Sequence, residues 1–259
     1  MDQTFRVIVR PGIWGSTVRL RFSNAFGTGP LVLNDVFAGL QLAAGNLVPA
    51  TNRVVMFGGN AGVSIPAGEV AWSDPVSLDF VERMGGDHLI GRKLAVSFHV
   101  AGKSGPMTWH SKALQTSYVT PPGSGAHSRD DSESAFTYTT ASWFFLDAVD
   151  MRAPSDTTVV VCLGDSITDG TGSTMNGDDR WPDVLAARVR ERFGRRVIVL
   201  NAGVGSNRVL GPADYRQTPF RGGPGALDRL ERDVPWRTPS TGVAGAPCTV
   251  AHETRSVAW

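Results

Sequence analysis

The turn Leu163–Gly170 carries the side chains with the clearest chemical potential, because it places a hydroxyl directly after a buried strand. That strand is predicted over Thr157–Leu163, a continuous run of mostly β-branched residues typical of a strand buried on both faces. Parallel α/β sheets bind ligands beyond the carboxyl ends of their strands, so Ser166 would present its Oγ at such an edge. Backbone N–H groups of the same turn can face a developing oxyanion. The alternative is an ordinary turn, since Asp165 and Ser166 are of common turn types.

The segment around this turn alternates between strand and helix patterns after Pro154. Arg180–Phe193 has apolar residues at helical spacing and arginines toward its end, which predicts a helix. Val197–Leu200 predicts a second buried strand, and Gly222–Val234 could form a second helix. Alternating strands and helices indicate a parallel sheet. We therefore predict an α/β domain over residues 154–234.

Residues 1–153 follow a different pattern and predict an all-β domain, either a sandwich or a jelly roll. Short alternating or apolar runs recur between turn signals such as Gly58-Gly59-Asn60 and Pro121-Pro122-Gly123, and no long helical stripe interrupts them. The predicted strands are Thr4–Val9, Thr17–Phe22, Leu31–Phe37, Arg53–Phe57, Val63–Ile65, Leu94–Val100 and Ser142–Val149.

Composition excludes several classes of function. The formal net charge of the 259 residues is +1 at pH 7, which excludes a strongly basic footprint for nucleic acid. No apolar run reaches the roughly 18 residues needed to span a membrane. Cys162 and Cys248 cannot form a disulfide framework, and no metal-ligand motif or cofactor fingerprint is present. Residues 1–6 lack the basic and apolar segments of a secretion signal.

Three motifs occur in order along the α/β part: Gly164-Asp165-Ser166-Ile167-Thr168-Asp169-Gly170, then Arg180-Trp181-Pro182, then Asn201-Ala202-Gly203 after the next strand. Together these motifs resemble the SGNH, or GDSL-type, hydrolases. The resemblance implies ester hydrolysis by a nucleophilic serine without a metal or cofactor, in a family whose members are often secreted.

The all-β part also resembles one branch of this family. Residues 20–27, 114–119 and 141–146 are similar to the β-rich domain that precedes the catalytic domain in proteins typified by acetylxylan and aryl esterases. With these phrases, the resemblance covers residues 3–234.

The resemblance implies roles for particular residues. Ser166 would attack the acyl carbonyl, and its own N–H would help to hold the oxyanion together with a glycine of the second motif block. The residues at that block are Gly203, Gly205, Ser206 and Asn207. An asparagine from a third block would complete the oxyanion hole, and a histidine three residues after an aspartate would be the base.

The second block departs from the family pattern at one position. Ser206 stands where the family has its oxyanion glycine, and Gly205 lies one position early. The Ser206 N–H could still donate, but a backbone conformation that only glycine adopts freely would be strained.

The C-terminal part departs further. No Gly-x-Asn-Asp block follows Asn207, and no Asp-x-x-His is present. His252 is the one late histidine and the candidate base, but Thr249 occupies the aspartate position. Residues 235–259 carry no convincing period, so we expect an atypical tail and a truncation or frameshift near Val234.

Three functions stay open at this point. The first is a serine ester hydrolase of the carboxylesterase or acetylesterase type, acting on a small ester or an acetylated carbohydrate with Ser166 as nucleophile. The second is a catalytically impaired fragment of such a hydrolase. The third is a carbohydrate-binding β module whose aromatic residues form a sugar platform rather than core. The aromatic candidates are Trp109, Tyr118, Trp143, Phe144 and Phe145.

Expected partners follow from the same reasoning. We expect neither a nucleic acid nor a membrane as a partner. A sheet that stops after two strands leaves an apolar edge uncovered, so a homo-oligomer could cover it. His110 lies in a stretch similar to the family's β domain and is either a structural residue or one at the domain interface.

Overall fold

The computed structural model describes residues 2–212, 214, 216 and 221–234, together with the backbone of residues 247–250. Strands predominate before residue 153, and helices become more frequent after it. The strands are β1 (Gln3–Val9), β2 (Thr17–Ser23), β3 (Leu31–Ala43), β4 (Asn46–Leu47), β5 (Arg53–Val54), β6 (Gly62–Ile65), β7 (Val70–Trp72), β8 (Val76–Ser77), β9 (Leu94–Val100), β10 (Trp109–His110), β11 (Ser117–Val119), β12 (Tyr138–Thr140), β13 (Trp143–Phe144), β14 (Leu146–Arg152), β15 (Thr158–Gly164), β16 (Val197–Gly203) and β17 (Pro247–Val250).

Helices are few and mostly short. The α-helices are α1 (Asp79–Met84), α2 (Ser166–Asp169), α3 (Trp181–Phe193) and α4 (Leu230–Asp233), and the 3-10 helices are Gly86–Leu89 and Gly194–Arg196. None of the helices in the described ranges is long and apolar enough to cross a membrane.

Two larger antiparallel sheets and the two-stranded antiparallel pair β10–β13 form the all-β part, which the alternating runs predicted. One sheet has the order β12-β11-β1-β9-β3-β4, with β5 and β6 also paired to β3. The other has the order β17-β14-β2-β7, with β8 also paired to β2. The apolar core joins strands of both sheets, and the rings of Phe22 and Phe98 meet at 5.2 Å between centroids. Each sheet therefore buries one face against the other.

Three expectations about this part were wrong in detail. The strand predicted over Arg53–Phe57 is only Arg53–Val54. The strand predicted over Ser142–Val149 is broken at Phe145, whose φ of 57° is incompatible with an extended strand. Helix α1 was not predicted, because six residues that bury only Phe80 and Val81 are too short to show a helical period.

Within the described residues, the α/β part contains one parallel pair, β15 with β16, connected through α2 and α3. Their register sets Thr158 opposite Val197 and Gly164 opposite Gly203. Strand β15 lies one residue after its predicted range. Strand β16 starts at Val197 as predicted but runs to Gly203, so Asn201-Ala202-Gly203 ends the strand rather than following it. The expectation that β15 is buried on both faces was wrong, since Val160 is 39% exposed.

The two helices predicted after β15 had different outcomes. Helix α3 begins at Trp181, one residue after the predicted start, with Pro182 in its first turn. The helix suggested over Gly222–Val234 is confined to the four residues of α4. One proline and three glycines in residues 222–225 disfavour a helix there.

The parallel pair packs against the β sandwich rather than standing apart from it. Ile198 and Leu200 of β16 belong to the same apolar core as the sandwich strands. Arg190 of α3 donates a hydrogen bond of 2.7 Å to the carbonyl oxygen of Gly12, and Arg195 donates one of 2.9 Å to that of Trp14. The segment that follows β1 therefore holds the α/β part in place.

Candidate active site

Ser166 lies at the carboxyl end of β15, as the sequence predicted. Asp165 is the N-cap residue of α2, and its carboxylate accepts a 3.0 Å hydrogen bond from the N–H of Ile167. A Cβ at Gly164 would lie 2.2 Å from Thr168 Oγ1, so the turn closes this tightly only with glycine there. Ser166 is half-buried and Ile167 is exposed. Asp165 therefore shapes the turn that carries the Ser166 hydroxyl.

The loop after β16 lies beside this turn because the two parallel strands end in register. A Cβ at Gly203 would lie 2.1 Å from the backbone nitrogen of Asp169, so α2 sits directly on the end of β16. The Val204 N–H donates a 3.0 Å hydrogen bond to the Gly164 carbonyl oxygen. The predicted oxyanion loop and the Ser166 turn are thus neighbours.

Most of the N–H groups of this loop already have acceptors. The Gly203 N–H donates to Asn201 Oδ1 at 2.9 Å, and the Gly205 N–H donates to Asp169 Oδ2 at 3.1 Å. The Asn207 N–H donates to the carbonyl oxygen of Val204 at 3.0 Å. Gly203 and Gly205 are predicted members of the oxyanion loop. Their N–H groups already donate hydrogen bonds that hold the loop.

Ser206 is the remaining member of the predicted loop. Its φ is 64°, in the left-handed region that favours glycine. The strain expected for a serine at this position is therefore present in the backbone. Within the described residues no hydrogen bond uses the Ser206 N–H.

The side chain of Asn207, one of the residues at the second motif block, makes hydrogen bonds that hold the loop. Its side-chain nitrogen donates to the carbonyl oxygens of Gly222 and Pro224, both at 2.7 Å. Its Oδ1 accepts a 3.0 Å hydrogen bond from Arg229 Nε. Both hydrogens of the amide nitrogen are used in these bonds, and the side chain holds residues 222–224 against the loop.

Arg229 joins both halves of the candidate site, and sequence reasoning missed it. The side chain is fully buried, and it donates to the carbonyl oxygens of Ala202 at 3.0 Å and Gly164 at 3.1 Å. Asp233, also fully buried, neutralises it through a 2.7 Å ion pair. The sequence pattern around Arg229 did not indicate a buried role, because an arginine in a predicted helix is usually solvated.

His110 and Asp169 form a second buried group at the site. His110 Nε2 lies 2.8 Å from Asp169 Oδ1, and both side chains are less than 9% exposed. From the sequence, His110 was predicted to be a structural or interface residue, and Asp169 was named only as part of the motif Gly164–Gly170. With Trp143, this pair borders a cavity of about 340 Å³ between α3 and the segment Arg10–Gly12.

Among the described histidines, none forms a hydrogen bond with Ser166. Within the described ranges no hydrogen bond involves Ser166 Oγ, and the bond made by His110 goes to Asp169. His252, the predicted base, lies outside the described residues. So do the side chains of the tail 235–259.

The aromatic residues of the all-β part are mainly core. Tyr118, Trp143 and Phe145 are buried, whereas Trp109 and Phe144 are half-buried and stack at 5.9 Å between centroids. A sugar platform would need several exposed rings, so this arrangement disfavours that hypothesis.

Residues 162–241 match the model of the GDSL-like Lipase/Acylhydrolase family. The match starts at Cys162 in β15, covers the Ser166 turn and the Ser206 loop, and continues past Val234, where the sequence predicted the family pattern to stop. A search of curated proteins found no matching relative. The segment that builds the candidate site is therefore similar to the GDSL-like lipases and acylhydrolases, and this similarity supports the SGNH/GDSL family and ester hydrolysis in general.

Proposed function

We propose that the chain is a serine esterase of the carboxylesterase or acetylesterase type, with Ser166 as its nucleophile. The observation that carries the proposal is the position of Ser166, at the carboxyl end of β15 and beside the loop that holds Ser206 at a φ of 64°. The family match over residues 162–241 supports acyl ester hydrolysis as the reaction class.

The geometry supports a two-step acyl transfer. Ser166 Oγ would attack the acyl carbon, and the resulting oxyanion would accept hydrogen bonds from the N–H groups of Ser166 and Ser206. Collapse of that intermediate would expel the alcohol, and water would then hydrolyse the acyl-enzyme. A hydroxyl needs a base for the first step, and His252 stays the candidate for it.

The proposed substrate class is taken from the resemblance to acetylxylan and aryl esterases, and the site is compatible with it. Ser166 is accessible to solvent at the edge of the parallel pair, and neither attack nor hydrolysis in this scheme needs a metal or a cofactor. We therefore propose a small ester or an acetylated carbohydrate as substrate.

An impaired hydrolase is the second candidate, and one observation favours it. The Ser166 hydroxyl has no hydrogen-bonded base among the residues that the structure describes. A serine hydrolase without its base still exceeds the uncatalysed rate, by about 10³-fold, through binding and the oxyanion hole.

Labelling with a serine-directed fluorophosphonate, read by intact mass, separates these candidates. We expect one adduct on the wild-type chain, none on Ser166→Ala and one on the control Ser173→Ala, whose serine lies just beyond the α2 turn. Hydrolysis of p-nitrophenyl acetate against p-nitrophenyl octanoate then tests the preference for short acyl groups. A folded wild-type chain that takes no adduct would contradict the proposed esterase and favour the impaired hydrolase.

A further inference from the structure

The Asp169 carboxylate links three parts of the molecule. Its Oδ2 accepts the Gly205 N–H at 3.1 Å, and its Oδ1 lies 2.8 Å from His110 Nε2. Asp169 ends α2, the helix that Ser166 begins, and His110 belongs to β10 of the all-β part. One side chain thus connects the nucleophile helix, the oxyanion loop and the β sandwich.

Burial makes both of these hydrogen bonds important. Asp169 is 6% exposed and His110 is 4% exposed, so neither group can exchange its partner for bulk water. An ionised carboxylate only accepts hydrogen bonds, so the His110 Nε2–H is the donor. Without this donor, a buried carboxylate would depend on the Gly205 N–H alone and would gain by turning toward water.

The orientation of the His110 ring depends on the same contact. Its Nδ1 is buried and has no hydrogen-bond partner among the described residues, so Asp169 is the polar group that orients the ring. The Trp143 ring lies 6.1 Å from the His110 ring between centroids and packs beside it. The imidazole is therefore held between one apolar neighbour and one carboxylate.

Gly205 is the residue on which this arrangement acts. It directly precedes Ser206, whose N–H is the proposed oxyanion donor. The Asp169 carboxylate fixes the Val204–Gly205 peptide group, to which the Gly205 N–H belongs. The Asn207 N–H closes the turn by donating to the Val204 carbonyl oxygen at 3.0 Å, so the Gly205–Ser206 peptide between these two bonds is held as well. Its direction relative to Ser166 therefore depends on the Asp169 rotamer. Loss of that rotamer would leave Ser206 free to relax from its strained φ.

We propose that His110, contributed by the β sandwich, is a positioning residue for ester hydrolysis: it holds Asp169, and Asp169 holds the Gly205-Ser206 peptide toward Ser166. This inference rests on the proposed function, since it assigns the Ser206 N–H to the oxyanion. It also explains the contact between the two parts of the chain, because the sandwich then completes a site built on β15 and β16.

Three variants of His110 and one control test the proposal in the full chain. His110→Leu removes the donor. His110→Gln carries an amide nitrogen that can take the place of Nε2, whereas the amide of His110→Asn is too short to reach Asp169. The control is His99→Leu, because His99 is also buried in the sandwich and also pairs with an aspartate, Asp2, at 2.7 Å.

Kinetics on p-nitrophenyl acetate give the first measurement. We expect His110→Leu and His110→Asn to lower kcat by about tenfold, below the roughly 100-fold loss of a direct oxyanion donor, with KM changed less than about twofold. His110→Gln should recover to within about threefold of wild type, and His99→Leu should not change kcat. Equal kcat values for the Leu and Asn variants and the His99 control would overturn the proposal.

Amide hydrogen exchange at Gly205 gives a second measurement that does not depend on activity. We expect the Gly205 N–H to exchange about tenfold faster in His110→Leu and His110→Asn, and at the wild-type rate in His110→Gln and His99→Leu. Unchanged exchange in all four variants would overturn the positioning role. A wild-type chain that neither hydrolyses the ester nor takes the fluorophosphonate would instead overturn the proposed esterase, and Gly205 exchange would still decide whether His110 holds the loop.

Discussion

The β sandwich and the parallel pair β15–β16 bury their residues in different ways. In the sandwich each sheet covers the other, so inward residues such as Leu20 and Phe98 are completely buried. In the described residues β15 pairs with β16 alone, and Val160 and Leu210 in this part are 39% and 74% exposed. The sandwich is held by apolar area, whereas the α/β part is only partly covered.

This difference shows how the candidate site is held where the apolar cover is incomplete. Ile198 and Leu200 attach the pair to the sandwich core on one side. At the carboxyl edge, buried polar groups provide the contacts. Arg229 bridges the ends of both strands, and Asp169 connects α2 to the predicted oxyanion loop. Because hydrogen bonds are directional, these groups fix the site more closely than apolar contacts would.

The largest expected effect tests the apolar side of the comparison. Phe98→Ala should lower the free energy of unfolding by about 3–5 kcal/mol, because it opens a cavity in the fully buried core. Val160→Ala, on the partly covered strand β15, should change it by less than about 0.5 kcal/mol. Urea unfolding of both variants measures this contrast, and similar losses for the two would break the comparison.

The polar side of the comparison predicts a loss of similar size at Arg229. Arg229→Met preserves volume but removes the fully buried 2.7 Å ion pair with Asp233, whose carboxylate then keeps the longer 3.4 Å contact with Arg232 Nε, so we expect a loss of about 3–5 kcal/mol. Arg129→Met removes a surface pair with Asp35 in the sandwich and should cost less than about 0.5 kcal/mol. Thermal unfolding of the two variants compares them. A small loss at Arg229 would show that apolar contacts alone hold the strand ends.

A smaller effect is expected at a buried carboxyl of the sandwich. Burial raises the pKa of Asp150 to about 6, and the opposing charge of Arg19 on β2 offsets this only in part. The unfolded carboxyl ionises near pH 4, so this residue lowers stability progressively as the pH rises from about 4 to 6. Asp150→Asn should therefore stabilise the protein by about 1–3 kcal/mol at pH 7 and by almost nothing at pH 4.

Urea unfolding at both pH values measures this change. The control is Asp79→Asn, because the hydrogen bond from Arg53 lowers the pKa of Asp79, and its stabilising effect is lost toward low pH. The two variants should thus respond to pH with opposite signs. A gain for Asp150→Asn that is equal at pH 4 and pH 7 would contradict the raised pKa.

The smallest effect concerns backbone strain at the site. Ser206→Gly should stabilise the chain by about 1 kcal/mol, because glycine adopts a φ of 64° without strain. Ala44→Gly, at a φ of 49° in the sandwich, should give a similar gain. Urea midpoints measure both. A gain at Ala44 without one at Ser206 would show that the site compensates the strain through its hydrogen bonds.

Local sequence patterns were enough to predict many of the strands and the longest helix. The alternating runs predicted most of the long sandwich strands, and the apolar run and helical spacing predicted β15, α3 and β16, because each pattern is a property of consecutive residues. The break at Phe145 and the short helix α1 were not predictable in this way. Both depend on neighbours that are distant along the chain.

For the candidate site, the sequence by itself determined the position of Ser166 after a strand and the presence of Ser206 where a glycine is expected, since both follow from motif and spacing. Only the tertiary structure decided that the polar groups of Gly205 and Asn207 hold the loop. It also decided that His110, Asp169 and Arg229 surround that loop. The spacing of His110 and Asp169, 59 residues apart, carries no signal of contact. Their pairing arises from packing of the sandwich against the parallel strands, where buried polar groups must find partners wherever the chain brings them.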